Sequence, residues 1–365
     1  FLVKTQPMLV DTGADLEKFI AKIAGAKYIA LDTEFVREKT FFPKPCLIQI
    51  AADGVHACID PLELTDLDPL LDLIFDTSTT KILHAARQDL EIFHRLRGSV
   101  PTPIFDTQIA ADIAGLGEQI SYATLVAELL DIKLDKTETR TNWAQRPLSE
   151  KQIHYAENDV IFLYQAYQEL LKRIPDRISW VLQDSKELTH PELYEQSISD
   201  AYKRVKGQSK IKGKAKTLIR MLAGWREETA ILRDLPRRWV LDDKLLIAIA
   251  LNQPKTLPDL RDLGVPRKLT QRHGNRIFEL VQSAVDTDEP TTQKPQPLSE
   301  HDRNKLRTMK ALVEEHSKSL NVSSALLASK KDMIDLLKNR PDAKVLSGWR
   351  QPLIGEKLQE IAEQA

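Results

Sequence analysis

The hydrophobic pattern of the chain changes near Ser149, and this change limits the possible folds more than any other feature of the sequence. Before it, short apolar segments typical of buried strands alternate with stretches in which apolar residues recur at helical spacing. After it, helical spacing continues almost to the end of the chain. A chain of 365 residues is long enough for roughly two or three domains. The sequence therefore predicts a domain that contains a sheet, followed by wholly helical domains.

The first part of the chain predicts a mixed sheet covered by helices. Strand-like segments are expected at residues 28–35, 46–52, 55–60, 81–85 and 104–106. Helical spacing is found at residues 66–75, 89–96, 107–114 and 122–130. The early strands are joined by short loops and the later ones alternate with helices, which is the order expected of an α/β domain. Ser149, with Gln152 three residues later, predicts the capped start of a further helix.

Two breaks divide the helical part of the chain. Residues 203–216 carry seven basic residues and no acid, and two glycines interrupt them, which predicts a linker. A second linker is predicted at residues 286–298, which are rich in proline and threonine. The predicted domains are therefore residues 1–205, 206–285 and 299–365. Similar apolar stretches at residues 239–251 and 325–337 indicate that the two helical domains are an internal repeat.

Cysteine content and hydropathy favour the cytoplasm. Cys46 and Cys58 have neither metal-ligand spacing nor the pattern of a disulfide framework, which suits a reducing compartment. No apolar run is long enough to cross a bilayer, and no charged start followed by an apolar signal region is seen. We therefore expect a cytoplasmic protein without a membrane span.

Four acidic residues are candidates for the chemistry. Asp32 and Glu34 follow an apolar strand, and their spacing of two places both carboxylates on one face, where they repel each other unless a divalent cation neutralises them. Asp89 begins a helical stretch. Asp159 lies four residues after Tyr155, so these two side chains share a helix face. Taken singly, each acid has another explanation: a solvated strand end, an acid stabilised by a helix N-terminus, or an exposed acid on an amphipathic helix.

The candidate acids and their neighbours form a series of short segments: Leu-Asp-Thr-Glu-Phe-Val-Arg at 31–37, Leu-His-Ala at 83–85, Asp-Leu-Glu at 89–91, Phe-Asp-Thr-Gln at 105–108, Asn-Trp at 142–143, Arg-Pro-Leu-Ser at 146–149, Tyr-Ala at 155–156 and Asp-Val at 159–160. Together these segments resemble the three exonuclease motifs of the DEDD superfamily of 3'-5' exonucleases, and they are most similar to those of the ribonuclease D family. The resemblance implies a ribonuclease H-like fold in which Asp32, Glu34, Asp89 and Asp159 converge on two divalent metal ions, Mg2+ or Mn2+. It also implies that Asp32 bridges the ions, that Glu34 and Asp159 complete the site of the ion that activates water, and that Asp89 holds the second ion, partly through water.

The superfamily has two branches, which differ in whether a Tyr or a His precedes the last acid. Both Tyr155 and His154 fit the required spacing from Asp159. The flanking motifs favour Tyr155, whose hydroxyl would orient the water by hydrogen bonding. Two neighbouring polar residues are not assigned to catalysis: His84 is expected to position chain or substrate, and Asp106 is expected to anchor a helix start.

The residues that precede the last motif have a composition typical of a surface that binds single-stranded nucleic acid. Lys136, Arg140, Trp143 and Arg146 are interleaved with Thr and Asn, and we expect them to contact phosphates and stack on bases. The alternative is that Trp143 fills the core and that the cations are solvated.

The helical part contains Leu-Ala-Gly-Trp-Arg at 222–226, Arg-Asp-Leu-Pro-Arg at 233–237 and an apolar stretch at 240–249. These segments resemble the HRDC domain, a small module that follows the nuclease in ribonuclease D proteins and occurs in RecQ-type helicases. Residues 299–365 look like a divergent second copy. The whole chain has a net charge of -1, but residues 214–278 carry 14 basic and 7 acidic residues. This local excess of +7 favours nucleic-acid binding, although a merely solvated basic surface is the alternative. Trp225 and Trp239 are predicted to be core residues.

The resemblance implies a metal-dependent 3'-5' exoribonuclease that releases 5'-nucleoside monophosphates. Its expected substrates are the 3' ends of tRNA precursors and other structured RNA, and it is expected to act as a monomer. Two alternatives stay open on the sequence: an exonuclease that acts mainly on DNA, and a nucleic-acid-binding protein with little nuclease activity.

Overall fold

A computed structural model of the chain describes residues 8–135, 138, 141–284, 298–341 and 343–364. These residues divide into two compact units. The first unit comprises the described residues up to Val36, residues 45–194 and the described residues from 298 onward. The second unit comprises residues 37–44 and 195–284. The predicted linker at 286–298 lies almost wholly outside the described residues.

The first unit contains the mixed sheet that the sequence predicts, flanked by helices. Its strands are β1 Leu9–Val10, β2 Tyr28–Val36, β3 Lys44–Ala52, β4 Val55–Ile59, β5 Thr80–Leu83 and β6 Ile104–Asp106. Its helices up to residue 186 are α1 Gly13–Ile23, α2 Asp68–Phe75, α3 Arg87–Arg97, α4 Thr107–Ile113, α5 Tyr122–Leu130, α6 Glu150–Arg173 and α7 Ile178–Lys186. The predicted elements are confirmed to within a few residues at their ends, and β1 and α1 are additions that the sequence analysis did not predict.

The sheet places β2 at its centre. The strand order is β1-β4-β3-β2-β5-β6, with β2 parallel to β5, β5 parallel to β6, and β3 antiparallel to β4. Successive residues of β2 enter different cores, because side chains alternate across a strand: Ile29 and Leu31 join one hydrophobic cluster, and Ala30 joins another. The strand is therefore buried on both faces from Ile29 to Leu31, directly before Asp32.

Helix α6 starts where the sequence predicts a cap. The Ser149 hydroxyl accepts a hydrogen bond from the backbone N–H of Gln152, and the Gln152 side chain accepts one from the backbone N–H of Ser149. This capping box satisfies two N–H groups that a helix start would otherwise leave unpaired. It fixes the register of a 24-residue helix that packs against β2 and carries Tyr155 and Asp159 one turn apart.

The second unit is helical, as predicted, and has its own core. Its helices are α8 Gly213–Leu232, α9 Arg237–Val240, α10 Asp243–Asn252, α11 Leu257–Asp262 and α12 Arg267–Ser283. The predicted linker at 203–216 is wrong at both ends, because Ala201–Arg204 forms a 3-10 turn and α8 already begins at Gly213. Trp225 is buried as predicted, but the prediction for Trp239 is wrong, since this side chain is 50% exposed.

The C-terminal module, residues 298–364, packs within the first unit. Its helices are α13 Glu300–Leu320, α14 Ser324–Leu327, α15 Lys330–Leu337 and α16 Glu356–Glu363. The Trp349 ring stacks on Trp180 at a centroid distance of 4.4 Å. The Arg350 guanidinium donates two hydrogen bonds of 2.6 Å to the carboxylate of Asp184, and both residues are buried. The module is therefore joined to α7 by a buried, hydrogen-bonded ion pair.

Two further features bear on the sequence predictions. Cys46 and Cys58 are both buried, and neither forms a disulfide. Within the described parts of the chain, every helix is too short or too polar to span a lipid bilayer.

Candidate active site

Three elements of the first unit bring the four predicted acids together. The carboxyl half of β2 presents Asp32 and Glu34, the first turn of α3 presents Asp89, and α6 presents Asp159. Asp32, Glu34 and Asp159 each offer one carboxylate oxygen, and these oxygens lie within 4.8 Å of one another. Asp89 lies outside this group of three but is close enough to repel the charges of Asp32 and Glu34.

Burial raises the pKa values of all four carboxyl groups, and repulsion by the other acids adds to the shift for Asp32 and Glu34. Burial is the main cause for Asp32, whose pKa lies well above its usual range, and the charges of Asp89, Asp159 and Glu34 add to it. Burial with repulsion by Asp159 and Asp89 raises the pKa of Glu34 to about 8. Burial also raises the pKa of Asp159 to about 7, although the hydrogen bond from Tyr155 opposes the shift. For Asp89 burial raises the pKa to about 6, and the hydrogen bond from Thr33 opposes it.

This donor set fits a divalent metal ion. Among the described residues, no Lys, Arg or His forms an ion pair with any of the four acids. Clustered carboxylates without a cation are unfavourable in a buried place, whereas carboxylate oxygens are preferred ligands of Mg2+ and Mn2+. Once these carboxyl groups are ionised, the cluster is therefore stabilised by a cationic ligand.

Metal-free protein is predicted to lose thermal stability as the pH rises. Because the folded-state pKa values lie above the ordinary value of about 4, the contribution of these groups is fully present below that value. It is lost as the pH passes about 6 for Asp89, about 7 for Asp159 and about 8 for Glu34. Excess Mg2+ or Mn2+ should therefore raise the melting temperature more at pH 8 than at pH 6, measured by scanning fluorimetry against a chelator control. Glu34→Gln should reduce this difference, and an equal gain at both pH values would contradict the prediction.

Two side chains that the sequence analysis did not single out hold the acids in place. The Thr33 hydroxyl donates a hydrogen bond of 2.5 Å to Oδ1 of Asp89, which links the central strand to the start of α3. The Tyr122 hydroxyl donates to the backbone carbonyl of Asp159. Thr33 stands between two predicted ligands and could have been suspected for that reason. Tyr122 carries no comparable signal in the sequence.

The predicted role of Asp106 at a helix start is confirmed, and the contacts of His84 are consistent with its predicted role in positioning the chain. The Asp106 carboxylate accepts the backbone N–H of Gln108 at 2.7 Å and so caps α4. It also accepts the N–H groups of Ala85 and Ala86, which form the turn that leads into α3 and Asp89. The two ring nitrogens of His84 lie 3.0 Å from the Thr107 hydroxyl and 3.2 Å from the Ile120 carbonyl oxygen.

The two candidates for the branch-defining residue differ in position. The Tyr155 hydroxyl donates a hydrogen bond to the carboxylate of Asp159. The His154 side chain, one residue earlier on α6, is exposed. This difference follows from the 100° turn between successive helix residues, because only one of the two can face the sheet. The geometry is the one expected of the Tyr branch.

Of the four predicted substrate-binding residues, Trp143 and Arg146 contact other parts of the protein, and the remaining two lie outside the described residues. Trp143 is 3% exposed and packs near Tyr155, which favours the alternative of a core side chain. Arg146 donates hydrogen bonds of 2.6 and 2.7 Å to the buried carboxylate of Asp60 and others to backbone carbonyl groups. Its guanidinium is therefore engaged within the protein. Lys136 and Arg140 lie outside the described residues.

The fold and the acidic cluster indicate a protein of the DEDD class of 3'-5' exonucleases. Comparisons with known proteins give the same class. The family model for the 3'-5' exonuclease domain matches residues 7–175, the model for the HRDC domain matches residues 215–281, and the model for the C-terminal HRDC domain of ribonuclease D matches residues 301–358. The chain belongs to the ribonuclease D family. It is 33% identical to ribonuclease D of Bartonella henselae over 97% of this chain and 89% of that protein. With ribonuclease D of Sphingobium indicum it shares 37% identity over 99% of this chain and 95% of the relative.

A solved structure extends this relationship to the whole fold. The crystal structure of Escherichia coli RNase D matches 98% of both chains with a TM-score of 0.82 and 30% sequence identity. The chain is therefore a 3'-5' exoribonuclease, and its fold implies dependence on a divalent metal ion. Membership of this family argues against the alternative of a nucleic-acid-binding protein with little nuclease activity.

Proposed function

We propose that Asp32, Glu34, Asp89, Asp159 and Tyr155 form the catalytic site, which hydrolyses the 3'-terminal phosphodiester bond of RNA and releases a 5'-nucleoside monophosphate. The observation that carries the proposal is the cluster of three carboxylate oxygens within 4.8 Å, with Asp89 beside it and no cation paired to it among the described residues. A phosphodiester brings further negative charge into this place. The cluster is therefore suited to hydrolysis only in the presence of metal ions.

Two ions are proposed, because three carboxylates converge on one point and the fourth stands apart. Asp32, Glu34 and Asp159 would hold one ion, and Asp32 with Asp89 would hold the second. When bound, such a pair lowers the pKa of the attacking water and stabilises the charge that develops on the attacking and leaving oxygens. No preference between Mg2+ and Mn2+ follows from the ligands, since oxygen donors suit both.

The protein's own contribution is to position the acids and the water. Thr33 holds the carboxylate of Asp89 at one rotamer through its hydrogen bond. Tyr155 stands one helical turn from Asp159 and is the group proposed to orient the attacking water. A phenol has a pKa of about 10, so it acts here as a hydrogen-bond partner and not as a general base.

Separate substitution of Tyr155 and His154 is predicted to show which of the two side chains takes part in catalysis. Tyr155→Phe should lower kcat by roughly a hundredfold or more, because it removes only the hydroxyl that orients the water. His154→Ala should change kcat less than about twofold, since that side chain is exposed. Single-turnover release of mononucleotides in excess Mn2+ measures both effects. A larger loss for His154→Ala would assign the chain to the His branch.

The proposed substrates are 3' extensions of structured RNA, including tRNA precursors. The structure from Escherichia coli is described as an exoribonuclease involved in structured RNA processing, and its likeness to this chain supports the proposal. All five proposed catalytic residues lie within one unit of one chain. We therefore propose that a monomer is active.

The experiment that tests the function uses RNA and DNA strands of one sequence, labelled at either the 5' or the 3' end. With Mg2+ or Mn2+, 3'-labelled RNA should yield labelled mononucleotide from the first turnover, and 5'-labelled RNA should shorten one nucleotide at a time. A chelator should stop both reactions. Release of labelled mononucleotide from the 5' end, or faster hydrolysis of DNA than of RNA, would contradict the proposal.

A further inference from the structure

The segment that follows strand β2 folds as part of the second unit. Residues 37–44, called here the anchored segment, are grouped with that unit by their contacts. Phe41 is 3% exposed and lies in the hydrophobic core of the second unit. Only two residues separate the anchored segment from Glu34, which is a proposed metal ligand. The chain therefore enters this helical core seven residues after Glu34.

Asp234 and Arg237 hold the anchored segment in place. Oδ1 of Asp234 accepts hydrogen bonds of 3.0 Å from the backbone N–H groups of both Phe41 and Phe42. The guanidinium carbon of Arg237 lies 4.4 Å from the centroid of the Phe41 ring, which is the distance of a cation–π contact. Within the segment, Nε–H of Arg37 donates to the Phe41 carbonyl at 2.9 Å. These contacts fix both the backbone and the ring of Phe41.

The backbone of Asp234 favours glycine, and yet the position holds an aspartate. Its φ of +48° lies in the left-handed region, which glycine adopts more readily than residues with a Cβ atom. The two hydrogen bonds that its carboxylate accepts from the anchored segment offset this cost. Asp234 is itself exposed, so replacing its side chain leaves the core of the second unit intact.

The carboxyl half of β2 extends beyond the pairing of this strand with β5. The register between the two strands runs from Tyr28 to Ala30 on β2. Asp32 and Glu34 lie further along the strand, toward the anchored segment. Catalytic side chains have to be held to within about 0.5 Å of their productive positions. A restraint just beyond this end of β2 therefore bears directly on the position of Glu34.

We propose that Asp234 and Phe41 are positioning residues for catalysis, because they anchor the chain that leaves Glu34 and so hold this carboxylate at the geometry that the metal ion requires. The proposal rests on the proposed function, in that Glu34 is a ligand of the ion that activates water. Both residues act through the backbone between Glu34 and Phe41. Loosening the anchor weakens the metal site, and the loss of catalysis follows from that.

Binding of Mn2+ to the full chain without RNA tests the proposal, with free Mn2+ measured by electron paramagnetic resonance. Asp234→Gly suits the left-handed backbone and removes the acceptor of both hydrogen bonds. It should weaken Mn2+ binding about tenfold, as loss of an orienting contact does at other metal sites. Asp234→Asn keeps an oxygen acceptor and should retain most of the affinity. The matched control is Asp131→Gly, which changes an exposed aspartate at a φ of +57° in the first unit and should leave Mn2+ binding unchanged.

A second variant keeps every anchoring residue and lengthens the chain instead. Two glycines inserted between Val36 and Arg37 should weaken Mn2+ binding to a similar extent, because the anchored segment then no longer restrains Glu34. The same insertion between Asp53 and Gly54, in the turn between β3 and β4, is its control. Normal Mn2+ binding by Asp234→Gly or by the lengthened β2 connection would overturn the proposal.

Hydrolysis of 3'-labelled RNA separates failure of the anchor from failure of the proposed function. In limiting Mn2+, Asp234→Gly should release mononucleotide more slowly than wild type, and excess Mn2+ should restore most of the rate. A loss that excess Mn2+ does not reduce would show that the residue acts in some way other than by positioning the metal ligand. Wild-type protein that neither binds Mn2+ nor hydrolyses RNA would refute the proposed function itself.

Discussion

Replacement of Asp32 by asparagine is expected to lower the rate of mononucleotide release by at least about a thousandfold while RNA binding changes little. The charges of Asp89, Asp159 and Glu34 all raise the pKa of Asp32, so this carboxylate lies close to each of the other three acids. Asparagine keeps the shape of the side chain but removes the charge, and its amide group offers metal only one weak oxygen donor. Single-turnover release from 3'-labelled RNA measures the loss.

The matched control for Asp32→Asn is Asp176→Asn. This change makes the same chemical alteration at an exposed residue that follows α6, outside the acidic cluster. RNA binding by both variants is compared in chelator, so that hydrolysis does not interfere. Undiminished release by the Asp32 variant, or an equal loss in the control, would refute the proposed site.

Replacement of Arg350 by methionine is expected to lower the free energy of unfolding by about 3–5 kcal/mol, because it leaves the carboxylate of Asp184 buried without its principal partner. Each residue of this pair is about 5% exposed. Lys344 remains 3.7 Å from Asp184 but is itself half-exposed and replaces neither hydrogen bond. Arg350 also donates a hydrogen bond to the Leu326 carbonyl, which the variant loses. Urea denaturation of the full chain measures the change.

Two further variants identify the cause of that loss. Arg340→Met removes an arginine of the same module whose ion pair with Asp335 is largely exposed on the arginine side, and Lys331 also pairs with Asp335. It should cost less than about 1 kcal/mol. Combining Arg350→Met with Asp184→Leu should restore much of the stability, because no buried charge is then left unpaired. If the double variant is as unstable as Arg350→Met, the loss comes from packing and not from the unpaired charge.

The parts of the site that follow local periodicity could be predicted from the sequence. Asp32 and Glu34 share a face because of the two-residue period of a strand, and the Ser149 capping box sets the register that brings Tyr155 and Asp159 onto one face of α6. Neither pattern predicts that β2 and α6 lie next to each other in the folded chain. It was the family resemblance, and not periodicity, that predicted the convergence of the acids.

Contacts between residues distant in sequence could not be predicted in this way. The bonds from Thr33 to Asp89, from Tyr122 to the Asp159 carbonyl and from Arg146 to Asp60 join residues 56, 37 and 86 positions apart. Each depends on how elements far apart in the sequence pack against one another in the folded chain. For Trp239 the error has a different origin: an apolar helical stretch identifies a buried face but not which of two adjacent bulky residues occupies it.

If the four acids form a binuclear metal site, crystals soaked in Mn2+ should contain two ions beside them. Anomalous difference maps should show two peaks about 3.5–4 Å apart, one among Asp32, Glu34 and Asp159 and the other between Asp32 and Asp89. Both peaks should disappear in crystals of the Asp32→Asn variant. Peaks located elsewhere, or an acidic cluster without a peak at saturating Mn2+, would show that the four acids do not form this site.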